Sequence, residues 1–110
     1  MGDRPLEIVT HQVVELPSGM NRDTEEGKLD YTLIMDGPMY DRWAAHLTAA
    51  VPTRGERNWM KAHTEEDYKR FRRSLSRHMR QYFRGDVDED HAAAIFFNLN
   101  GAEHVKEQLR

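Results

Sequence analysis

The sequence predicts a mainly α fold, a small helical domain of about three to four helices with a short β-strand or hairpin near its N-terminus. Apolar residues recur at helical spacing in three separate segments, and strand-like alternation is confined to one short stretch. A length of 110 residues is enough for one modest core. We therefore expect residues 1–20 to form a strand-like extension and residues 21–110 to form a single helical domain.

Composition excludes several classes of protein. The chain contains no cysteine, which rules out a disulfide framework, a thiolate zinc site and a cysteine nucleophile. No apolar run approaches the roughly 18 residues of a membrane-spanning helix, and the first residues lack the charged-then-apolar pattern of a signal peptide. We expect a cytoplasmic protein without membrane contact. Acidic residues outnumber basic ones, 19 to 16, so the overall charge does not favour broad nucleic-acid binding.

The N-terminal stretch from Leu6 to Leu16 is predicted to be a strand, because it mixes β-branched residues with partial alternation. A lone strand leaves backbone groups unpaired. We therefore expect it to pair either with residues near 31–35 or with the same strand of another subunit. The following polar residues, 17–28, are predicted to form a loop that ends at Gly27 and Lys28.

The first helix is predicted to begin at the Asp36, Gly37, Pro38 turn, since proline fits the first helical turn. Apolar residues at helical spacing continue to Val51, and Pro52 is predicted to stop the helix. Residues 52–62 are predicted to be a loop.

A second, long helix is predicted between Thr64 and about Arg84. Thr64 and Asp67 resemble a capping box, and Gly85 is placed to end the helix in the manner of a C-cap. A third helix is predicted to start around Asp88 to Glu89 and to carry the apolar run at 92–97.

The turn between the second and third helices is a candidate metal site. Carboxylates and imidazoles within a few residues suit magnesium, manganese or a similar divalent ion. If the third helix starts at Asp88, then Asp88 and His91 share a face and Asn98 lies two turns further along it. The alternative is an exposed helix start whose acids only complement the helix dipole. The candidate ligands are His78, Asp86, Asp88, Asp90 and His91.

Other residues are candidates for phosphate or base contacts. An arginine stripe at Arg73, Arg77, Arg80 and Arg84, together with Lys28, is suited to neutralise phosphates. The alternatives are a solvated face or a helix that binds a nucleic-acid strand. A tryptophan beside an amide, at Asn58 and Trp59, suits stacking on a base and reading its edge, although packing in the core is the other use of such a ring.

Several of these residues belong to three stretches that follow one another within residues 21–105, namely GKLDYTL, RGERNW and SLSRHMRQYFRGDVDEDHAAAIFFN. This ordered set resembles a family of small phage and prophage proteins described as dATP/dGTP diphosphohydrolase-like. The chain departs from the family pattern at Asp86, where the family has a glutamate after the glycine, and at Ala94, where the family has a second histidine. The matching residues are Gly27, Lys28, Leu29, Asn58, Trp59, Ser74, Arg77, His78, Gly85, Asp88 or Asp90, His91 and Asn98.

The resemblance implies hydrolysis of a purine deoxynucleoside triphosphate with release of pyrophosphate, using a divalent metal such as Mg or Mn. The role of this family is similar to that of the MazG-type pyrophosphohydrolases. We expect a homodimer in the cytoplasm of the host cell, with His78, Asp90 and His91 in catalysis. The expected substrate contacts are Lys28, Asn58, Trp59, Arg77 and Asn98. The alternatives are a nucleotide-binding protein without catalysis and an accessory protein that binds nucleic acid through the Arg73–Arg84 helix face.

Overall fold

The computed structural model of the chain describes residues 12–110. The chain divides into two compact units, Met35–Arg110 and a preceding unit, Gly2–Ile34, of which residues 12–34 are described. The predicted fold class is confirmed, because the described residues form three α-helices and one short two-stranded antiparallel hairpin near the N-terminus. None of the helices between residues 12 and 110 is both long and apolar enough to cross a membrane.

The hairpin consists of β1 (Val13–Glu15) and β2 (Asn21–Asp23), with Val14 opposite Arg22. The prediction of a strand in this region is confirmed for 13–15, and residues 6–11 of the predicted strand lie outside the described residues. The predicted partner near residues 31–35 was wrong, since Tyr31–Ile34 forms a short 3-10 segment. A local turn closes the hairpin instead, because a short loop costs less entropy than a long one.

Helix α1 (Pro38–Arg54) begins as predicted, with Gly37 as N-cap and Pro38 in the first turn. The prediction that Pro52 stops this helix was wrong, because the helix passes through Pro52 and ends at Arg54. In the last turn proline removes only one hydrogen bond, and Gly55 then ends the helix with a positive φ of 81°.

Helix α2 (Glu65–Arg84) has both predicted caps. The Thr64 hydroxyl accepts a hydrogen bond from the Asp67 N–H at 3.1 Å, and the Asp67 carboxylate accepts one from the Thr64 N–H at 3.1 Å. At the other end Gly85 has a left-handed φ of 82°. The long helix is therefore defined at each end by a local signal, a pair of side-chain caps at its start and a left-handed glycine at its end.

Helix α3 (His91–Gln108) is the central element of the helical unit, since it packs against α1, α2 and a second 3-10 segment, Asn58–Lys61. It begins at His91, with Asp90 as N-cap, and not at Asp88 or Glu89 as predicted. Within residues 12–110 every buried residue lies on α3, and these are mainly small. They are His91, Ala93, Ala94, Asn98, Gly101, Ala102 and Val105.

Candidate functional site

The helical unit contains an open cleft of about 890 Å³, a size typical of sites for small molecules. Helices α1 and α2 supply its walls, and α3 contributes Ala94, Phe97 and Asn98. Helix α2 runs antiparallel to α3, because His78 contacts the start of α3 at His91 whereas Phe71 contacts it farther along. We refer to the two extremities of the cleft as the His78 end and the Trp59 end.

The cleft brings together five of the residues that the sequence identified as candidates for substrate contact or catalysis. They come from the 3-10 segment, from α2 and from α3, which are separated in the chain by as many as 40 positions. Their convergence was not visible from spacing within any one helix. These residues are Asn58, Trp59, Arg77, His78 and Asn98.

Four cationic side chains line the cleft, and within residues 12–110 none of them forms an ion pair with a carboxylate. Cations that lack an acidic partner are available to bind an anionic ligand. Sequence reasoning found only Arg77 among them. The spacing of Arg70 and Arg77 by seven residues, which places both on one helical face, was the signal for Arg70. The four are Arg54, Lys61, Arg70 and Arg77.

The predicted arginine stripe is divided between different environments. Arg73 pairs with Glu66 at 2.9 Å and Arg84 pairs with Asp86 at 2.5 Å, both at the surface. Arg77 lines the cleft, and Arg80 does not. The described side chains therefore do not form one continuous face of unpaired arginines along α2.

Trp59 is held at its end of the cleft by α3. The ring of His104 meets the Trp59 ring edge-on, with 5.2 Å between centroids, and its Nε2 is 3.2 Å from the carbonyl oxygen of Met60. His104 was missed by sequence reasoning, because no local pattern links it to a segment more than 40 residues earlier. The contact leaves Trp59 half-buried, with part of the ring available to the cleft.

Asn98 lies in the cleft floor and is buried, with 5% of its surface exposed. Its Nδ2 donates a hydrogen bond to the carbonyl oxygen of Ala94 at 2.8 Å. Within the described part of the chain its Oδ1 accepts no hydrogen bond, which leaves one acceptor for a donor group of a ligand.

The His78 end is built from a chain of hydrogen bonds between Asp88, His91 and His78. One carboxylate oxygen of Asp88 is 2.8 Å from Nε2 of His91, and Nδ1 of His91 is 2.9 Å from Nδ1 of His78. Because an ionised carboxylate only accepts, His91 donates through Nε2, and its Nδ1 then carries the lone pair in the neutral ring. The predicted proximity of Asp88 and His91 is present, but it arises from a turn and not from a shared helix.

The surroundings of these three hydrogen-bonded side chains favour an ionised Asp88 and a neutral His78. The hydrogen bond from His91 lowers the pKa of Asp88 below its ordinary value. Burial lowers the pKa of His78, although the charge of Glu89 opposes this effect. A neutral imidazole retains the lone pair that metal binding requires.

Two groups of side chains in residues 12–110 have donor atoms close enough to hold a metal ion, with the atoms of each group within 4.8 Å of one another. The first is His78, Glu89 and His91. The second is Asp86, Asp88 and His91. In the second group the Asp86 carboxylate is already paired with Arg84, and His91 is already bonded to Asp88. Glu89 was not among the metal ligands predicted from the sequence.

Asp90, predicted as both a catalytic residue and a metal ligand, belongs to neither group. Its carboxylate binds the Arg42 guanidinium through two hydrogen bonds of 2.8 and 2.5 Å, and it accepts the N–H of Ala93 at 3.0 Å. The bond with Arg42 lowers the pKa of Asp90 to about 2. These contacts tie α1 to the start of α3, and they occupy both carboxylate oxygens.

Lys28, the remaining predicted phosphate contact, belongs to the preceding unit, where its N–H donates to the carbonyl oxygen of Glu25 at 2.9 Å. Its assignment to the substrate stays a prediction.

Comparison of the chain with protein-family models, with curated proteins and with solved structures finds no match in any of the three. The resemblance to dATP/dGTP diphosphohydrolase-like proteins, and the homodimer expected with it, therefore stay predictions.

Proposed function

We propose that this protein binds a purine (deoxy)nucleoside triphosphate in the cleft and hydrolyses it with the help of a divalent metal, releasing pyrophosphate. The observation that carries the proposal is the composition of the cleft. Four cations without carboxylate partners, an available tryptophan ring and an amide acceptor line one cavity that ends beside a group of metal-binding side chains. The two carboxylates in its lining are already bonded, Glu66 to Arg73 and Asp67 to backbone N–H groups. This set of groups suits an anion that carries an aromatic base.

Each group has a separate role in the proposal. Arg70 and Arg77 offset the negative charge of the phosphates and orient them, since guanidinium groups bind phosphate bidentately. Trp59 stacks on the base, and the Oδ1 of Asn98 accepts a hydrogen bond from a sugar hydroxyl or a base amino group.

The side chains at the His78 end fit a divalent ion, because they include two imidazoles and nearby carboxylates. Such an ion would supply Lewis acidity, which stabilises negative charge on the phosphoryl oxygens. His78 and His91 act in this proposal by holding the ion next to the phosphates. Asp90 has a positioning role, because its oxygens bind Arg42 and the start of α3.

The test compares two arginines of the same helix, one inside the cleft and one outside it. We expect the purified chain to bind dATP or dGTP in a calorimetric titration. Arg77→Ala should weaken binding by about tenfold or more, as expected for loss of a charge-assisted hydrogen bond. Arg80→Ala is the matched control and should bind like the unmodified protein, because Arg80 does not line the cleft.

Product analysis tests the catalytic part. Incubation with each nucleoside triphosphate and a divalent metal, with pyrophosphate and phosphate measured separately, should yield pyrophosphate.

Equal nucleotide affinity in Arg77→Ala and Arg80→Ala would contradict the assignment of the cleft.

A protein that binds the nucleotide without hydrolysing it is the second candidate. It is favoured by the fact that Trp59, Arg77 and Asn98 line the cleft, whereas Asp86 and Asp88 do not. Tight binding with no release of pyrophosphate or phosphate under any metal would select this candidate. Binding of single-stranded nucleic acid that Arg77→Ala and Arg80→Ala weaken equally would instead favour the helix face of α2.

A further inference from the structure

We infer that His78, Glu89 and His91 form a site for a transition metal ion of the zinc type, with Asp88 as the group that orients His91. The inference rests on the proposed function for its biological context, since it specifies the metal of that same site, but it is testable in the absence of any nucleotide.

Three donors of suitable chemistry meet at the junction of two helices. His78 lies near the end of α2, His91 is the first residue of α3, and Glu89 lies in the turn between them. One donor atom from each lies within 4.8 Å of the others. His91 is buried whereas Glu89 is exposed, so the imidazole is held in place and the carboxylate is free to adjust.

The two imidazole nitrogens are separated by nearly the distance that a shared ion requires. The Nδ1 atoms of His78 and His91 are 2.9 Å apart. Ligand atoms bonded at 2.0–2.1 Å to one tetrahedral ion are roughly 3.3 Å apart. Two lone pairs at 2.9 Å repel each other, so in the metal-free pair Nδ1 of His78 carries a proton and donates it to Nδ1 of His91. Binding of a metal by both Nδ1 atoms would require this proton to move to Nε2 of His78, which keeps the ring neutral.

Asp88 fixes which nitrogen of His91 faces His78. Its carboxylate accepts a hydrogen bond from Nε2 of His91 at 2.8 Å, which leaves the lone pair on Nδ1. A carboxylate that binds the far nitrogen of a metal-binding histidine is a recurring feature of zinc sites, where it orients the ring and raises its basicity. Asp88 is therefore assigned to orientation, and Glu89 takes the place among the ligands that the sequence suggested for Asp88.

The chemistry of the donors selects the metal. Imidazole nitrogens suit zinc, nickel, copper and iron, whereas magnesium prefers oxygen donors and retains most of its water. Two histidines with one carboxylate are the protein ligands of several catalytic zinc sites, in which a fourth position stays open. Because His78 also lines the cleft, that position is next to the proposed substrate site.

The experiment is a titration of the full chain, free of any affinity tag, with Co²⁺ in the absence of nucleotide. Visible absorption reports the site, since Co²⁺ bound by nitrogen ligands in a four-coordinate site absorbs far more strongly than the hydrated ion. We expect this absorption to appear at one equivalent, to be lost on addition of Zn²⁺, and to persist in a large excess of Mg²⁺. Nitrogen NMR of the six histidines should show zinc-dependent shifts for His78 and His91.

Variants separate a specific site from surface binding. Asp88→Asn should weaken Co²⁺ binding roughly 10- to 100-fold, as found when an orienting partner is removed. Glu89→Gln should also weaken Co²⁺ binding and change the absorption spectrum. Because the side chains of Asp88 and Glu89 are exposed, both variants should fold. Glu103→Gln and His63→Ala are the matched controls, because both residues are exposed and belong to neither group of donors.

The inference would be overturned if Co²⁺ kept the spectrum of the hydrated ion at every ratio of metal to protein. It would also be overturned if Asp88→Asn and Glu89→Gln bound Co²⁺ as tightly as the control variants do. Neither result bears on nucleotide binding, which is measured separately with Arg77→Ala. Conversely, a Co²⁺ site in a chain that binds no nucleotide would leave this inference standing and remove the proposed function.

Discussion

The two ends of the cleft are built from different kinds of contact. At the His78 end, hydrogen bonds of 2.8 and 2.9 Å connect Asp88, His91 and His78. The central residue, His91, is buried. At the Trp59 end, the ring of His104 meets the Trp59 ring at 5.2 Å, and one hydrogen bond of 3.2 Å reaches the backbone. Hydrogen bonds are directional and place atoms accurately, whereas ring contacts tolerate tilt. The first end is suited to hold an ion, and the second to accept a flat ligand.

Removal of the central residue of the His78 end is expected to have the largest effect on stability. His91→Ala leaves a cavity and removes both hydrogen bonds of a side chain that is 1% exposed. We expect the free energy of unfolding to fall by about 2–4 kcal/mol, measured by urea denaturation. His63→Ala, at an exposed position, should change it by less than about 0.5 kcal/mol. Similar stability of the two variants would show that the hydrogen-bonded chain contributes little.

A methyl group added between the two ends should disturb both. A Cβ at Gly101 would lie 2.3 Å from an atom of the Phe71 ring, and Phe71 also lines the cleft. Overpacking of this kind costs about 1–3 kcal/mol, which exceeds or matches the gain of about 1 kcal/mol from better helix propensity. We expect Gly101→Ala to lower both the free energy of unfolding and the nucleotide affinity. Unchanged values of both, with Glu107→Ala as the surface control, would contradict the close packing of α2 on α3.

The Arg42–Asp90 pair offers a test by pH. The pKa of Asp90 in the folded chain is about 2, below its ordinary value of 3.8. Its contribution to stability is therefore present above pH 3.8 and is lost as the pH falls through about 2. We expect Asp90→Asn to cost about 0.5–1 kcal/mol at neutral pH, since the pair is partly exposed and asparagine still caps the helix.

The difference in the free energy of unfolding between the unmodified protein and Asp90→Asn, measured by urea denaturation, should shrink as the pH is lowered from about 5 towards 2. A difference that grows over this range would contradict the direction of the pKa shift. Co²⁺ affinity should be the same in both proteins, because Asp90 belongs to neither group of metal donors.

An equally small effect on stability is expected at the Trp59 end. His104→Ala removes an edge-on ring contact and one long hydrogen bond to a backbone carbonyl. We expect a loss of about 0.5–1 kcal/mol in the free energy of unfolding, with weaker nucleotide binding and unchanged Co²⁺ binding. If His104→Ala weakened Co²⁺ binding as much as Asp88→Asn does, the two ends would not be independent.

The elements that were predicted correctly depend on contacts between neighbours in the chain. Thr64 and Asp67 satisfy each other across one helical turn, and Gly85 supplies a backbone conformation that other residues rarely adopt. Pro52 shows the limit of such rules, since its effect depends on where in the helix it falls. The hairpin partner was also missed, because the competing strand at 21–23 is polar and lacks the usual apolar pattern.

The site was only partly predictable, because most of its contacts join residues that are far apart in the chain. The sequence by itself determined the helical fold, the caps of α2 and the inventory of histidines, carboxylates, arginines and tryptophan that have the chemistry for nucleotide and metal binding. Only the tertiary structure decided their use. It engaged Asp90 with Arg42, 48 positions away, brought Glu89 beside His78 and His91, and lined the cleft with Arg54, Lys61 and Arg70. Capping is decided within one turn of backbone, whereas partners between helices depend on how α1 and α2 pack on α3.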